Sequence, residues 1–359
     1  MGAVIIEGTG LVVQKGKRCI LDVPTFSLRE GERMGIIGPN GAGKSTLLQV
    51  MALLLSPHSG DVRFMGAKLS SRKSRQEARR SMAVVFQDPL LLSTTVFENV
   101  AVGLKIRGFR GIEVRQRVWD WLERLRIDHL AERFPYNLSG GEAQRVNLAR
   151  VFVLEPKIIF MDEPLVFLDA NSRLEIMEDL LRIFAHTPAA LLWATHDFGE
   201  LPVLTSNTAV MQNGNLVQQG ATREVLNGPR TVSVARFLGF ENVWQGSVIN
   251  GAENEIMRVR IDQGVEFAVP IRSGVSAGSP VSICVRAQNI RLVNEGYSQK
   301  NILPARVVGC VPRGLGFLVT VHYEEIEIKA ASPKEFSIGT QVLVELPPEN
   351  LHVLPSSRI

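Results

Sequence analysis

The stretch Gly38-Pro39-Asn40-Gly41-Ala42-Gly43-Lys44-Ser45-Thr46 constrains the fold of this chain more than any other. It follows the apolar run Met34–Ile37 and opens a helical pattern from Lys44 to Leu55, so the order is strand, glycine-rich loop, helix. Glycines at 38, 41 and 43 let successive backbone N–H groups close around phosphates, and the helix start adds its positive dipole end. Lys44 is then placed to reach the β and γ oxygens of a nucleotide, and the Ser45 hydroxyl to ligate Mg²⁺. Such a chain is expected to be α/β, with its ligand beyond the carboxyl ends of its strands.

Three further apolar runs end in polar residues: Met82–Phe86 in Gln87, Ile158–Met161 in Asp162-Glu163, and Ala189–Ala194 in Thr195-His196. If these strands share one sheet, the polar endings converge on the phosphate loop. Asp162 is assigned to hold Mg²⁺ through water, and Glu163 to polarise the water that attacks the γ-phosphate. Gln87 is a candidate contact to Mg²⁺ or that water, and His196 a hydrogen-bond partner of the γ-phosphate. A second glycine-rich turn, Leu138-Ser139-Gly140-Gly141-Glu142, runs into the helical pattern Glu142–Phe152 and offers another anion cradle at a helix start. Two readings stay open for it: a second phosphate in the same protein, or a nucleotide held by a partner copy.

The first 65 residues otherwise read as short strands, at Val4–Ile6, Leu11–Val13, Cys19–Val23, Phe26–Leu28 and Val62–Met65. From about 88 to 137 the pattern is helical, with Val114, Val118, Trp121, Leu122 and Leu125 on one face of Ile112–Arg126. The preceding Asp88-Pro89-Leu90-Leu91-Leu92 is apolar for a loop, and contact with another subunit and packing on its own core are equally open. After Phe240 helical periods vanish, which divides the chain into residues 1–240 and an all-β region, 241–359. That region repeats itself. Asn242-Val243-Trp244 through Val248 matches Asn301-Ile302-Leu303 through Val307, and Gly278 through Asn289-Ile290 matches Gly339 through Asn350-Leu351. Two copies of this size point to paired small β-barrels.

The 359 residues, 45% hydrophobic and 21% charged, suffice for two domains with a sizeable core. A net charge of +4 permits contact with nucleic acid or anionic lipid, but the signs are mixed along most of the chain. The basic run Arg72, Lys73, Arg75, Arg79, Arg80 lacks interleaved aromatics for base stacking and reads as a solvated helix face. Cys19, Cys284 and Cys310 have neither metal nor redox spacing, which suits a reducing compartment. The start lacks a signal-peptide pattern, and the greasiest run, Leu47–Leu55, is too short to span a bilayer, so a membrane role must come through a partner.

Taken in order, the phosphate loop, Gln87, Leu138–Glu142, Asp162-Glu163, Asp169 and His196 resemble the ATP-binding cassette ATPase family, over residues 1 to about 240. The resemblance implies a homodimer clamping two ATP molecules head to tail. Ser139, Gly140 and Gly141 then meet the γ-phosphate on the partner, and Asp169 lies at the dimer seam. The β-repeat is similar to tandem oligonucleotide/oxyanion-binding-type barrels of importer ATPases for molybdate, tungstate, sulfate, sugars and polyamines. Ser298-x-x-Asn301-x-Leu303-x-x-x-Val307 resembles the start of a molybdate-binding barrel, with Ala305 where glycine is usual. Phe86–Leu92 and Gly103–Gly108 are similar to tungstate and molybdate importer ATPases.

The implied protein is the energy-coupling ATPase of an oxyanion importer, peripheral on the cytoplasmic membrane face. Its partners are permease subunits and, indirectly, an external binding protein; its barrels serve dimerisation or bind oxyanion. Importers of another solute are the alternative, as is a soluble ATPase whose barrels bind nucleic acid. The scarcity of aromatics after 240 and the acids Glu324, Glu325 and Glu327 argue against nucleic acid. Two positions depart from the family pattern: Lys15 stands where an aromatic usually stacks on adenine, and Leu165-Val166-Phe167-Leu168 is bulkier than the usual Ser-Ala-Leu before Asp169.

Overall fold

Four of the apolar runs near the start join in pairs into two long strands, β1 (Val4–Lys15) and β2 (Arg18–Arg29). The structure, a computed structural model, describes residues 2–253, 256–271, 275–293 and 300–355. The chain continues through β3 (Arg33–Ile37) and α1 (Lys44–Met51), and β4 (Ser59–Phe64) and β5 (Ala67–Lys68) complete an antiparallel sheet ordered β2-β1-β4-β5. Pro24 reads as a strand break, but β2 is an edge strand, where a missing N–H costs no ladder bond. Helix α1 stops short of Leu55 because Leu53 adopts a left-handed φ of 61°.

Next come α2 (Arg72–Arg80), β6 (Met82–Val85), α3 (Val96–Ile106), α4 (Gly111–Arg124), α5 (Gly140–Phe152), β7 (Ile158–Asp162), α6 (Ala170–Ala185), β8 (Ala190–Ala194), β9 (Asn207–Gln212) and β10 (Asn215–Ala221). The strands form a sheet ordered β10-β9-β3-β8-β7-β6, parallel except for β10 against β9. Both faces are covered, so β7 and β8 are continuous apolar runs whose alternate side chains enter different cores. Phe160 and Leu192 pack with Leu47, Leu48 and Met51 of α1. Ile159, Met161, Leu191 and Trp193 pack against Val118 and Leu122 of α4, Phe152 of α5 and Phe184 of α6. The helical stripe of α4 is buried at Val114, Val118, Trp121 and Leu122, as its spacing predicts. Helix α2 is capped by Ser71 and leaves Arg72, Lys73, Arg79 and Arg80 exposed.

Contacts divide the chain into two units, residues 1–225 and 226–359. Among the described residues the second unit takes the helix Val232–Phe237 and then ten strands: β11 (Asn242–Glu253), β12 (Ile256–Ile261), β13 (Glu266–Pro270), β14 (Pro280–Val285), β15 (Arg291–Val293), β16 (Ile302–Arg313), β17 (Gly316–Tyr323), β18 (Ile326–Ser332), β19 (Gln341–Glu345) and β20 (His352–Pro355). They form two five-stranded sheets, β13-β12-β11-β14-β20 and β15-β19-β16-β17-β18, an OB-like pair. The repeats exchange their last strands. The end of the second copy, β20, pairs with β14 of the first, while β15 pairs with β19 of the second.

Repeat positions do equivalent work across this exchange. Asn242 binds the backbone of Lys329 in β18, and Asn301 binds the backbone of Ala268 in β13, each through both amide atoms at 2.7–2.8 Å. Gly278 and Gly339 donate to Val248 and Val307, each at 2.8 Å. One apolar cluster, including Val259, Phe267, Ile283, Val307, Val321 and Val344, serves both sheets. Of the molybdate-barrel likeness, Asn301, Leu303 and Val307 are placed, and Ser298 lies outside the described residues.

Candidate functional site

The adjacent strands β3, β8, β7 and β6 bring their carboxyl ends to one edge of the sheet. Register aligns Ile36 with Ala194 and Ala194 with Asp162, so the residues that follow leave the sheet side by side. After β3 the chain turns through the glycine-rich loop into α1, where Gly43 is the N-cap with φ 97°. A Cβ there would lie 2.8 Å from the Ile20 carbonyl oxygen, so both the left-handed backbone and the close approach demand glycine. Lys44, 5% exposed, folds back and donates to the Gly38 carbonyl oxygen at 2.9 Å, with its Nζ 3.5 Å from Glu163 Oε1.

The Ser45 hydroxyl donates to Asp162 Oδ1 at 2.9 Å, joining the helix start to the end of β7. Burial pushes the Asp162 carboxyl above its ordinary range; the Ser45 hydroxyl and Lys44 pull the other way, and the neighbouring Glu163 carboxylate pushes it up further. Glu163 adopts φ 45°, a left-handed conformation that costs on the order of 1 kcal/mol for a residue with a side chain. Its N–H donates to the Ala194 carbonyl oxygen at 2.8 Å, while its carboxylate faces Lys44 on one side and His196 Nδ1, 3.0 Å away, on the other. The turn redirects the side chain from the strand's alternation toward the phosphate loop.

Lys44, Ser45, Asp162, Glu163 and His196 therefore form one contiguous group. Gln87 is exposed just beyond β6, next to β7 in the sheet, and makes no hydrogen bond to that group. No three His, Cys, Asp or Glu side chains among the described residues are placed to hold a metal ion by themselves. The Ser45 and Asp162 oxygens are hard donors of the kind Mg²⁺ takes together with phosphate oxygens and water, so the residues fit that ion.

Ser139, Gly140, Gly141 and Asp169 form a second group, with no hydrogen bond or ion pair to the first among the described residues. Helix α5 starts two residues before the expected Glu142. Ser139 caps it by accepting from the Glu142 N–H at 3.3 Å, and its own N–H donates to Glu142 Oε2 at 2.7 Å. Asp169 caps α6, accepting from the N–H groups of Asn171 and Ser172 at 3.0 Å and from the Ser172 hydroxyl at 2.6 Å. A Cβ on Gly141 would sit 3.1 Å from Ser172 Oγ, so glycine lets the two helix starts meet. In the loop after Gln87, Leu91 packs on the core while Leu90 and Leu92 stay exposed, and Arg150 holds the carbonyls of Pro89 and Leu90. Packing on the protein's own core is thus met by Leu91.

Sequence reasoning missed the residues behind His196. Arg173 faces Asp197 at 3.1 Å, and buried Glu200 accepts from Trp193 Nε1 at 3.1 Å and from the Thr195 hydroxyl at 2.6 Å. The one available signal was the run of polar residues after β8, since the partners lie in other elements.

Residues 21–166 match the family described as ABC transporter. The chain is 34% identical over 340 residues to a molybdate/tungstate import ATP-binding protein of Pyrococcus horikoshii, covering 92% of this chain and 94% of that one. It is 28% identical to a spermidine/putrescine import ATP-binding protein of Borreliella afzelii, covering 93% of each. A solved dimeric ATP-binding cassette in a post-hydrolysis state, bound to ADP and Pi, is 26% identical with a TM-score of 0.56, covering 61% of this chain and 99% of that one.

Proposed function

Because this chain belongs to the ABC transporter family and is an ATPase of its importer type, we propose that it energises uptake of an oxyanion of the molybdate or tungstate class. The observation that carries this reading is the likeness to the molybdate/tungstate import protein along nearly the whole chain. In this reading residues 1–240 are the ATPase domain, with the helical insertion at about 88–137, and residues 241–359 are an accessory pair of barrels for dimerisation or oxyanion binding. The protein sits peripherally on the cytoplasmic membrane face, on permease subunits that receive solute from a binding protein. Exposed Leu90, Leu92, Ile106 and Ile112 supply apolar surface for that permease.

Two copies meet head to tail. The separation of the two anion cradles within one chain supports this: Ser139, Gly140 and Gly141 cap the γ-phosphate of the partner's ATP, and Asp169 lies at the seam. Within one chain, the backbone of Gly38, Pro39, Asn40, Gly41, Ala42 and Gly43, continuing to Thr46, wraps the phosphates, and Lys44 Nζ turns from Gly38 to their β and γ oxygens. Ser45, Gln87 and, through water, Asp162 would hold Mg²⁺, which would supply neutralisation of the phosphate charge. Glu163 takes the proton of the attacking water, and His196, whose Nδ1 lies 3.0 Å from Glu163 Oε2, presents its ring beside the γ-phosphate.

Reconstitution with the permease and binding protein tests the cargo. ATP hydrolysis should rise with tungstate- or molybdate-loaded binding protein and stay basal with sulfate; stimulation by polyamine alone would sink the oxyanion reading. Glu163→Gln should keep ATP binding, accumulate a closed dimer in light scattering and lower kcat by about 10²-fold or more. Unchanged steady-state turnover would remove Glu163 as the base.

A further inference from the structure

His196 is 53% exposed at its side chain, and its ring contacts Glu163 at 3.0 Å. An imidazole so exposed on a turn is placed by the backbone that carries it, and that backbone is fixed from below. The Thr195 N–H donates to the Ile36 carbonyl oxygen at 3.1 Å, tying the turn to the strand that feeds the phosphate loop. Thr195 Oγ1 accepts from the Asp197 N–H at 3.0 Å, which leaves its single proton for Glu200 Oε2, 2.6 Å away. The same Glu200 oxygen accepts from Trp193 Nε1 at 3.1 Å. Asp197 in turn accepts from the Gly199 N–H at 2.8 Å and faces Arg173 of α6 at 3.1 Å. The residues on either side of His196 are therefore held by one directional chain that ends on a buried carboxylate.

We propose that Glu200 is a positioning residue for ATP hydrolysis: acting through Thr195, it locks the 195–197 backbone so that His196 stays seated on Glu163. Glu200, 7% exposed, is buried behind the turn, and its own hydrogen bonds run to Trp193 and Thr195. Its carboxylate is kept in an apolar setting at a desolvation cost that raises its pKa, so the two donated hydrogen bonds are what hold it there. The inference rests on the reading that His196 takes part in hydrolysis.

The test is steady-state ATPase kinetics of the full chain carrying Glu200→Ala, Glu200→Gln, Thr195→Val or Thr195→Ser, each alone and combined with His196→Ala. Glu200→Ala and Thr195→Val should lower kcat about tenfold with KM for ATP nearly unchanged, as expected when a transition-state contact is displaced. Glu200→Gln and Thr195→Ser keep the acceptor and the hydroxyl and should recover most of the rate. On the His196→Ala background, Glu200→Ala should cost nothing further, because the pathway it serves is gone. A full additional tenfold loss there, or a folded Glu200→Gln protein as slow as Glu200→Ala, overturns the proposal. If Glu200→Ala does not fold, Thr195→Val carries the same comparison. Wild-type turnover by His196→Ala alone would instead remove the role of His196, a result distinct from additivity.

Discussion

Glu142 links the second anion cradle to protein stability. The Ser139 N–H, donating to its carboxylate at 2.7 Å, holds that carboxyl below the usual glutamate range. A depressed folded pKa means that the contribution is complete above the unfolded value, about 4.3, and lost as pH falls through the folded one. Glu142→Gln should therefore destabilise the protein at neutral pH and converge on the native protein in acid. Glu142→Ala should cost about 1 kcal/mol as a lost cap. Thermal melts from pH 3 to 7 check both, and a gap that persists at low pH would assign the loss to something other than the charge. Lys44 bonds the Gly38 carbonyl oxygen of its own loop and faces Glu163 at the end of β7, both within the nucleotide site. Lys44→Ala should abolish measurable ATP binding by fluorescent-nucleotide titration while leaving the melting temperature near that of the native protein.

Among elements, the exchanged strands of the second unit matter most. β20 covers the free side of β14 from Val281 to Cys284, and Val353 enters the shared apolar cluster. Cutting the chain after Pro348 removes the strand and exposes a row of unpaired N–H and C=O groups. The thermal transition of the second unit should fall steeply or vanish, while nucleotide binding by the first unit persists. Two separate melting steps for the repeats in the intact chain would contradict a common core. The repeat was visible in sequence through Asn242 and Asn301 and through Gly278 and Gly339. The exchange was not, because pairing partners of β15 and β20 are chosen by edges that exist only once both sheets form.

At the scale of the whole molecule, the head-to-tail reading makes each ATP site depend on a second chain. Ser139→Arg placed in one half of a mixed dimer should stop hydrolysis of the nucleotide held by the other half, read with differently tagged subunits and single-turnover assays. Loss confined to the mutated chain's own nucleotide would refute the arrangement. Within one chain Lys44, Ser45, Asp162, Glu163 and His196 share contacts, whereas among the described residues Ser139 and Asp169 bond at their own helix starts.

The sequence alone determined the phosphate loop, the acidic end of β7, the polar ends of β6 and β8 and the repeat after Phe240, because each is written in contiguous residues with a fixed period or spacing. Tertiary structure decided what no local window contains. It merged the fragments of β1 and β2, since Pro24 is tolerable only on an edge whose existence depends on the sheet order. It turned Glu163 through a positive φ onto Lys44 and His196, and it set Glu200 beneath Thr195. Those placements follow from which strands lie side by side, a choice made by burial across the whole domain.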